Sequence, residues 1–501
     1  MKEFILALDQ GTSSSRAMLY DNSGKTISIA QQAIEMLHPK DGWVEQDPNK
    51  IWDSVLAAGR EAITSSGIDP KFIKGIGITN QRETTLVWNK KTSECVYNAI
   101  VWQDRRTITT CIEMDSATLD GKALSEQIAD KTGLLIDPYF SSTKLHWILS
   151  EIVVSDSSLD VDDLLFGTVD TYLIWKLTGG HSHATDVTNA SRTQLLNIST
   201  LEWDEDLLRY FDIPGFLLPR VLDSSAQYGY AEEKWFGAPI PITGVAGDQQ
   251  AALVGQCCFD SGMSKVTLGT GCFIMTNTGS EKSLPKDGLL TTIAYRINGQ
   301  TSYASEGSIF VAGQAVKWLR DQLGIIESVK DTEKAFAATK GDAGGVSVVP
   351  AFTGLGAPHW DPEARGLISG LTLDTSVEQI VVATLQSIAL QIADLVSLML
   401  KGGPVDKLRV DGGMAVNDPF CQFLADILGQ NVDRPIDTET TARGAALLAG
   451  LGSGVWKDLN EIRATWQAER VFTPDMEQSL RNSLVEEFAL SVERAKLRPK
   501  N

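Results

Sequence analysis

The segment Asp9-Gln10-Gly11-Thr12-Ser13-Ser14 sets a carboxylate at the end of an apolar run, then a glycine, then hydroxyls and main-chain amides. Such a turn can hold a hydrated divalent cation and phosphate oxygens together, because it offers hard oxygen ligands and amide donors in one concavity. Leu268-Gly269-Thr270-Gly271 offers a second amide-rich concavity with a hydroxyl. Asp411-Gly412-Gly413, with Asn417 one turn further on, lets the backbone approach a flat or phosphorylated ligand. Each alone is also an ordinary turn. Three of them in order, at the ends of expected strands in two similar halves, point to a nucleotide site.

The elements that must position these turns follow from apolar patterning. Residues 4–8 and 17–20 predict strands flanking the first turn, and Asp21-Asn22-Ser23-Gly24 continues a meander. Asp47-Pro48 predicts a capped helix start, with Ile51, Trp52, Val55, Leu56 and Ile63 near helical spacing and Gly67 as the stop. A strand over 73–78 delivers Thr79-Asn80-Gln81-Arg82-Glu83-Thr84, and one over 242–246 delivers a polar turn, Gly247-Asp248-Gln249-Gln250. Residues 265–268 lead into the Gly269-Thr270-Gly271 hairpin. Thr375 and Glu378 form a capping-box pattern opening a long helix that Gly402-Gly403-Pro404 stops. A strand over 408–410 delivers Asp411, and a helix starts near Pro419. Alternating strands and helices indicate an α/β class, and the hairpins indicate mixed sheets. Pro214, Pro219, Pro239 and Pro241, with Glu232, Glu233 and Lys234 among them, mark a composition shift that places a domain boundary near Gly244.

The chain has 501 residues with 64 acidic and 44 basic side chains, a formal charge of −20. At roughly 150 residues per domain this length suggests two to four domains with cores of their own. The acidity, with no compensating Lys/Arg run, argues against a nucleic-acid partner. Six cysteines without C-x-x-C spacing read as reduced core thiols. Residues 4–8 are too short for a secretory h-region, and no uninterrupted apolar run approaches a membrane span, so the expectation is a cytoplasmic protein without membrane insertion.

Familiar nucleotide devices are absent. Gly24-Lys25-Thr26 resembles the end of a P-loop, but Leu19 stands where its first glycine belongs, and Ile274 replaces the third glycine of a dinucleotide fingerprint starting at Gly269. The motifs that do match are 7–16, 77–85, 98–106, Ile136-Asp137-Pro138-Tyr139-Phe140, 247–253, 350–358 and Val410-Asp411-Gly412-Gly413. Through them the chain resembles, over essentially its whole length, the sugar and polyol kinases of the ribonuclease-H-like, actin-like ATPase superfamily. The resemblance implies two ribonuclease-H-like domains, each a mixed sheet flanked by helices, with the active-site cleft between them. Residues 1–244 would carry most of the polyol site and the first phosphate hairpin; residues 245–501 would carry the general base and most of the nucleotide site.

Within that family the chain is most similar to members acting on glycerol. The implied reaction takes glycerol and ATP, with Mg²⁺, to glycerol 3-phosphate and ADP, in a homo-oligomer of two or four copies. By the resemblance Arg82, Glu83, Tyr139, Asp248 and Gln249 hold the hydroxyls, while Trp102 and Phe273 pack against the carbon face. Adjacent Arg82 and Glu83 fit that role chemically: a guanidinium fork and a carboxylate, once buried, make an analogue lacking a hydroxyl costly to accept. The resemblance makes Asp248 the general base and puts Asp9 and Asp248 near Mg²⁺, through water. Thr12, Ser13, Ser14 and Arg16 would contact phosphate oxygens, with Arg16 neutralising developing charge. Gly269 and Thr270 would hold the ADP phosphates, and Gly313, Gly413 and Asn417 would surround the nucleoside; Lys317 stands where relatives often have Gln.

Two other features are read as non-functional. His181-x-His183 with Asp186 lacks the pattern of a metal site and reads as a solvated loop, and the segment around residue 230 lacks the phosphorylatable histidine of some relatives. The competing readings are a kinase for xylulose, ribulose or gluconate, and a non-catalytic actin-like or heat-shock-type ATPase.

Overall fold

The apolar run at the N-terminus forms strand β1 (Phe4–Gln10), almost wholly buried as a strand inside a covered sheet must be. It turns into β2 (Ser14–Asp21) and β3 (Thr26–Ala33), an antiparallel meander. The computed structural model describes residues 3–119, 121–282, 287–400 and 407–497. Helix α1 (Pro48–Ser66) starts as its sequence dictates: the Asp47 side chain accepts from the Asn49 amide, proline takes the first turn, and Gly67 at φ 67° closes it. Strand β4 (Ile73–Asn80) then returns parallel to β1. After β5 (Ser225–Ala231) comes β6 (Ile240–Gly247), parallel to β4 and antiparallel to β5.

Helix α2 (Asp248–Gly255) leads into the second half. Strands β7 (Met263–Leu268) and β8 (Cys272–Gly279) make a hairpin, and β9 (Leu290–Ile297) and β10 (Gln300–Ile309) make another whose β10 pairs with β8. Beyond helices α3 (Gly313–Asp321) and α4 (Val377–Leu400), β11 (Lys407–Asp411) lies parallel to β7. Helix α5 (Asp418–Leu428), β12 (Val432–Pro435), helix α6 (Thr440–Gly452) and β13 (Ala468–Phe472) complete the sheet.

All thirteen strands run in the order β13-β12-β11-β7-β8-β10-β9-β5-β6-β4-β1-β2-β3. The β9–β5 join rests on one residue pair, Ser225 with Ile297, so the sheet is two sheets meeting at an edge. Both repeat one plan: an antiparallel first, second and third strand, with a parallel fourth and fifth beside the first. Those are β1, β2, β3, β4 and β6 in one half, and β7, β8, β10, β11 and β12 in the other. Helix α6 of the second half lies against the first sheet, sharing a core with Ile5, Ala7, Met18 and Tyr20. Glycine makes that approach possible. A Cβ on Gly77 would fall 2.1 Å from the Ala445 carbonyl oxygen, and where α6 packs on α2 one on Gly444 would fall 1.7 Å from that of Ala251.

Several local expectations shift. The box opening α4 is Ser376 with Gln379, not Thr375 with Glu378: the Ser376 amide donates to Gln379 Oε1 (2.9 Å) and the Gln379 amide to Ser376 Oγ (3.3 Å). Thr375 Oγ1 instead accepts from the Thr372 amide. The proposed stop at 402–404 lies outside the described residues. Helix α4 is long and apolar enough to cross a membrane by length and composition, and 72% of its apolar window is buried within the fold. Asp248-Gln249-Gln250 is the first turn of α2 rather than a polar turn, because Gly247 ends β6 and N-caps the helix. The 181–186 stretch is not a solvated loop. His183 stands edge-on to Trp88 and bonds the Phe166 carbonyl, and buried Asp186 caps the helical turn over Val187–Ala190. Gly244 lies inside β6.

Candidate functional site

Parallel strands that share a register deliver their C-terminal residues to one edge, where ligands of open α/β sheets bind. Here Asp9 pairs with Thr79, Gln10 with Asn80, and Asn80 with Gly247, so β1, β4 and β6 bring Asp9, the 81–84 turn and Asp248 together. In the second half Thr267 pairs with Asp411, which brings the 269–271 hairpin beside the 411–413 turn.

Arg82 and Glu83 are not a surface pair; their side chains are 2% and 1% exposed. Glu83 sits at φ 61°, a conformation non-glycine residues adopt only when their surroundings impose it. Arg82 donates from Nη1 to Glu306 Oε2 (2.7 Å) and from Nη2 to Glu306 Oε1 (2.8 Å), and its Nε lies 3.2 Å from Asp248 Oδ1. Arg192 donates from Nε to Glu83 Oε1 (2.6 Å) and from Nη2 to Glu306 Oε1 (3.2 Å). The four residues form a buried ring of alternating charge. Burial alone would raise the Glu306 carboxyl, but Arg192 and Arg82 outweigh it and hold it down to about 2. Glu83 receives one guanidinium hydrogen bond, and burial leaves its carboxyl raised despite Arg82 and Arg192. It is an acceptor with capacity to spare.

Aromatic side chains wall this polar ring. The Trp102 ring stands edge-on to Tyr139 at 5.5 Å and to Phe273 at 6.5 Å, with all three half-exposed. Trp102 Nε1 donates to Thr12 Oγ1 (2.9 Å), tying the wall to the first hairpin. Asp248 is about one-third exposed, while its neighbour Gln249 is buried and accepts from Lys265 Nζ. Lys265, itself buried, also donates to Thr267 Oγ1 (3.0 Å).

The residues expected to meet phosphate are more open. The Gly11 amide bonds the Ser14 carbonyl at 2.9 Å to close the first hairpin, whose Ser13, like Gly269 and Thr270 on the other, is exposed. Arg16 is paired with Glu439, which immediately precedes α6. The Asp9 carboxyl is pushed up to about 7, chiefly by burial, with Arg16 opposing and Asp248 adding to the rise. The Gly313 amide bonds the Gly269 carbonyl at 3.0 Å, which stitches α3 to the second hairpin. Nothing lies within 4 Å of a Cβ built on Gly413. The Asn417 side chain is spent locally: it accepts from the Phe420 amide as the cap of α5 and donates to Thr332 Oγ1. Lys317 is exposed on α3.

Sequence reasoning missed Glu306, Arg192, Lys265 and Glu439. The first carried a signal, since Ser302–Ile309 reads as a strand of small and apolar residues broken by one carboxylate. Among the described residues no group of three or more His, Cys, Asp or Glu side chains is arranged to hold a metal ion unaided.

This arrangement of two like-folded halves, with carboxylates, guanidinium groups and two hairpins gathered at the strand ends, has a family. The FGGY family of carbohydrate kinases matches twice, its N-terminal domain over residues 4–255 and its C-terminal domain over 264–453. The chain belongs to that family. It is 50% identical over 499 residues to the glycerol kinase of Marinomonas sp. strain MWYL1, covering 99% of this chain and all of that one. It is 51% identical to that of Ectopseudomonas mendocina strain ymp, with 99% of each chain covered. The crystal structure of Plasmodium falciparum glycerol kinase with ADP superposes with a TM-score of 0.91 at 35% identity, covering 99% of both chains.

Proposed function

We propose that the chain transfers the γ-phosphoryl group of ATP to a primary hydroxyl of glycerol, giving glycerol 3-phosphate and ADP. The observation that carries this reading is the buried ring of Arg82, Glu83, Arg192 and Glu306 with the partly exposed Asp248 beside it. The ring sums to zero charge and Asp248 adds one negative charge. A neutral polyol suits it, whereas the carboxylate of a sugar acid such as gluconate would meet repulsion without a free cation to receive it. The relatives named glycerol kinase support the same substrate.

In this reading Glu83 accepts from a polyol hydroxyl, Arg82 and Gln249 present donors, Tyr139 offers a hydroxyl, and Trp102 and Phe273 cover the carbon backbone. Asp248 accepts the proton of the attacking hydroxyl as the new bond to phosphorus forms. Thr12, Ser13, Ser14 and Arg16 meet the transferring phosphate; Gly269 and Thr270 meet the phosphates of the leaving ADP. Gly313 and Gly413 lie on the nucleoside side. Asn417 acts there through the α5 cap rather than with a free side chain. Asp9 and Asp248 supply the oxygen-donor chemistry Mg²⁺ prefers, few enough that it would keep waters and phosphate oxygens as further ligands. Bound there, Mg²⁺ would neutralise phosphate charge. We assign the polyol site mainly to a lobe of residues 1–244 and the nucleotide site to 245–501, and place the enzyme in the cytoplasm as a homo-oligomer. The matched segments 4–255 and 264–453 support a division in that region.

The test is ADP release with MgATP, comparing glycerol with dihydroxyacetone, erythritol, xylulose, ribulose and gluconate at matched concentrations. By far the highest kcat/KM for glycerol is the expected result. Another substrate winning would mean the pocket is misread while the nucleotide side stands.

A further inference from the structure

Arg82 touches both the cleft and the interior. Toward the cleft its Nε meets Asp248 and its Nη2 lies 3.5 Å from the Tyr139 hydroxyl, and both of those residues are half-exposed. Toward the interior it meets Glu306, 1% exposed, which spends both oxygens on guanidinium groups. Arg192 is 0% exposed and stands behind Glu83 in the same way, with its guanidinium carbon 5.7 Å and 5.2 Å from the ring centroids of Tyr139 and Phe140. The members come from three separated stretches: the turn after β4, the 190–194 turn, and β10 of the second half.

We infer that Glu306 and Arg192 are positioning residues for the polyol site. Glu306 sets the guanidinium plane of Arg82 from the opposite half of the chain, and Arg192 sets the carboxylate of Glu83. The inference rests on the proposed role of Arg82 and Glu83 in holding the polyol. Two physical facts carry it. A bidentate carboxylate fixes a guanidinium in plane and rotation, which a single contact cannot do. An arginine and a glutamate buried side by side would otherwise be free to pair with each other, yet Arg82 Nε lies 3.8 Å from Glu83 Oε1, too long for a hydrogen bond. The outer partners hold the two apart: Arg82 spends Nη1 on Glu306 and Gln250 and turns only Nε and the outer Nη2 hydrogen toward the partly exposed Asp248 and Tyr139, while Glu83 keeps an oxygen that no guanidinium hydrogen bond takes. Glu306 also makes the pocket dependent on both halves meeting, since β10 and β4 belong to different sheets.

The test compares conservative variants with controls, measuring KM and kcat for glycerol and for MgATP separately, with the melting temperature of each variant. Glu306→Asp keeps the charge and shortens the reach; Arg192→Lys keeps the charge and loses the fork. Each is expected to raise KM for glycerol about tenfold or more and to lower kcat, leaving KM for MgATP within about twofold, as a displaced positioning group does. Because a lone buried charge can unfold a protein, the paired Glu306→Gln/Arg192→Gln variant, which keeps the ring neutral, is expected to fold and show the same glycerol-specific loss. The controls are Arg82→Lys and Glu83→Gln. If the controls raise KM for glycerol while the Glu306 and Arg192 variants do not, the inference is overturned and the proposed function stands. Controls without effect on glycerol overturn both. Parallel losses for glycerol and MgATP together with a lowered melting temperature overturn the inference too, because they mark a purely structural role.

Discussion

The buried charge ring and the two glycine-bearing hairpins are built on opposite principles. Within the ring of Arg82, Glu83, Arg192 and Glu306 every charged group is buried and held by another, as in the Arg82–Glu306 bidentate pair and the Arg192–Glu83 bond. On the phosphate side the hairpins offer exposed hydroxyls and amides at Ser13, Gly269 and Thr270, and Arg16 is about one-quarter exposed. The difference fits the proposed division between polyol and nucleotide. A small neutral polyol brings no charge, so its affinity must come from donors and acceptors fixed in advance in a dry pocket. A nucleotide phosphate brings its own charge and cation, and exposed hydroxyls and amides suffice to receive it.

Asp248 stands where the two sides meet, and its loss should separate them most sharply. Asp248→Asn keeps the shape but trades one carboxylate oxygen for an NH2 donor and cannot take a proton, so turnover should fall on the order of 10² to 10⁴, the usual range for a positioned base. Nucleotide affinity, measured by calorimetry with a non-hydrolysable analogue in the absence of Mg²⁺, should stay near the parent's. Near-normal turnover in ADP release would remove Asp248 from that role.

A second contrast concerns the cost of building the polyol side from buried charge. Lys144 is fully buried, and its Nζ donates to the carbonyls of Tyr139 (2.6 Å) and Pro138 (3.2 Å), so it holds the backbone that carries Tyr139. Burial pushes its ammonium down to about 8 from the ordinary 10.5, with Glu83 and other acids opposing. Between those values the unfolded chain binds more protons than the folded one, so this group's contribution to stability rises with pH from about 8 to 10.5 and is lost as pH falls back through 8. The shift corresponds to about 3 kcal/mol at most. Melting curves of the parent and Lys144→Met from pH 7.5 to 10 should show the parent gaining relative to the variant across that window; parallel curves would mean the ammonium is not desolvated.

Much of the scaffold was legible from local pattern, because strand ends and caps are local physics. Asp47-Pro48, Gly67 and the strands delivering Asp9, Arg82, Asp248 and Asp411 all stand where apolar runs meet polar turns. What was not legible was which distant residue answers which. Glu306 lies 224 positions from Arg82, and nothing within either segment states that they meet. The shift from Thr375/Glu378 to Ser376/Gln379 has a simpler cause: both pairs fit the same spacing, and only tertiary packing chooses the register. His183 looked like a loop residue because its covering partner, Trp88, comes from a strand far away in the chain.

The smallest expected effect lies on the open side. Arg16 is paired with Glu439, and the two side chains are 24% and 43% exposed, so the pair is screened and worth no more than about 1 kcal/mol. A phosphate competing for Arg16 must displace that carboxylate. Glu439→Gln should therefore lower KM for MgATP by at most about fivefold, with glycerol parameters unchanged, because 1 kcal/mol corresponds to a factor of about five. The gain should shrink as salt is raised, since screening already weakens the pair in the parent. A loss of more than tenfold in MgATP affinity would mean instead that Glu439 orients Arg16 for the phosphate. The phosphate side would then be as pre-set as the polyol side, and the contrast between them would fail.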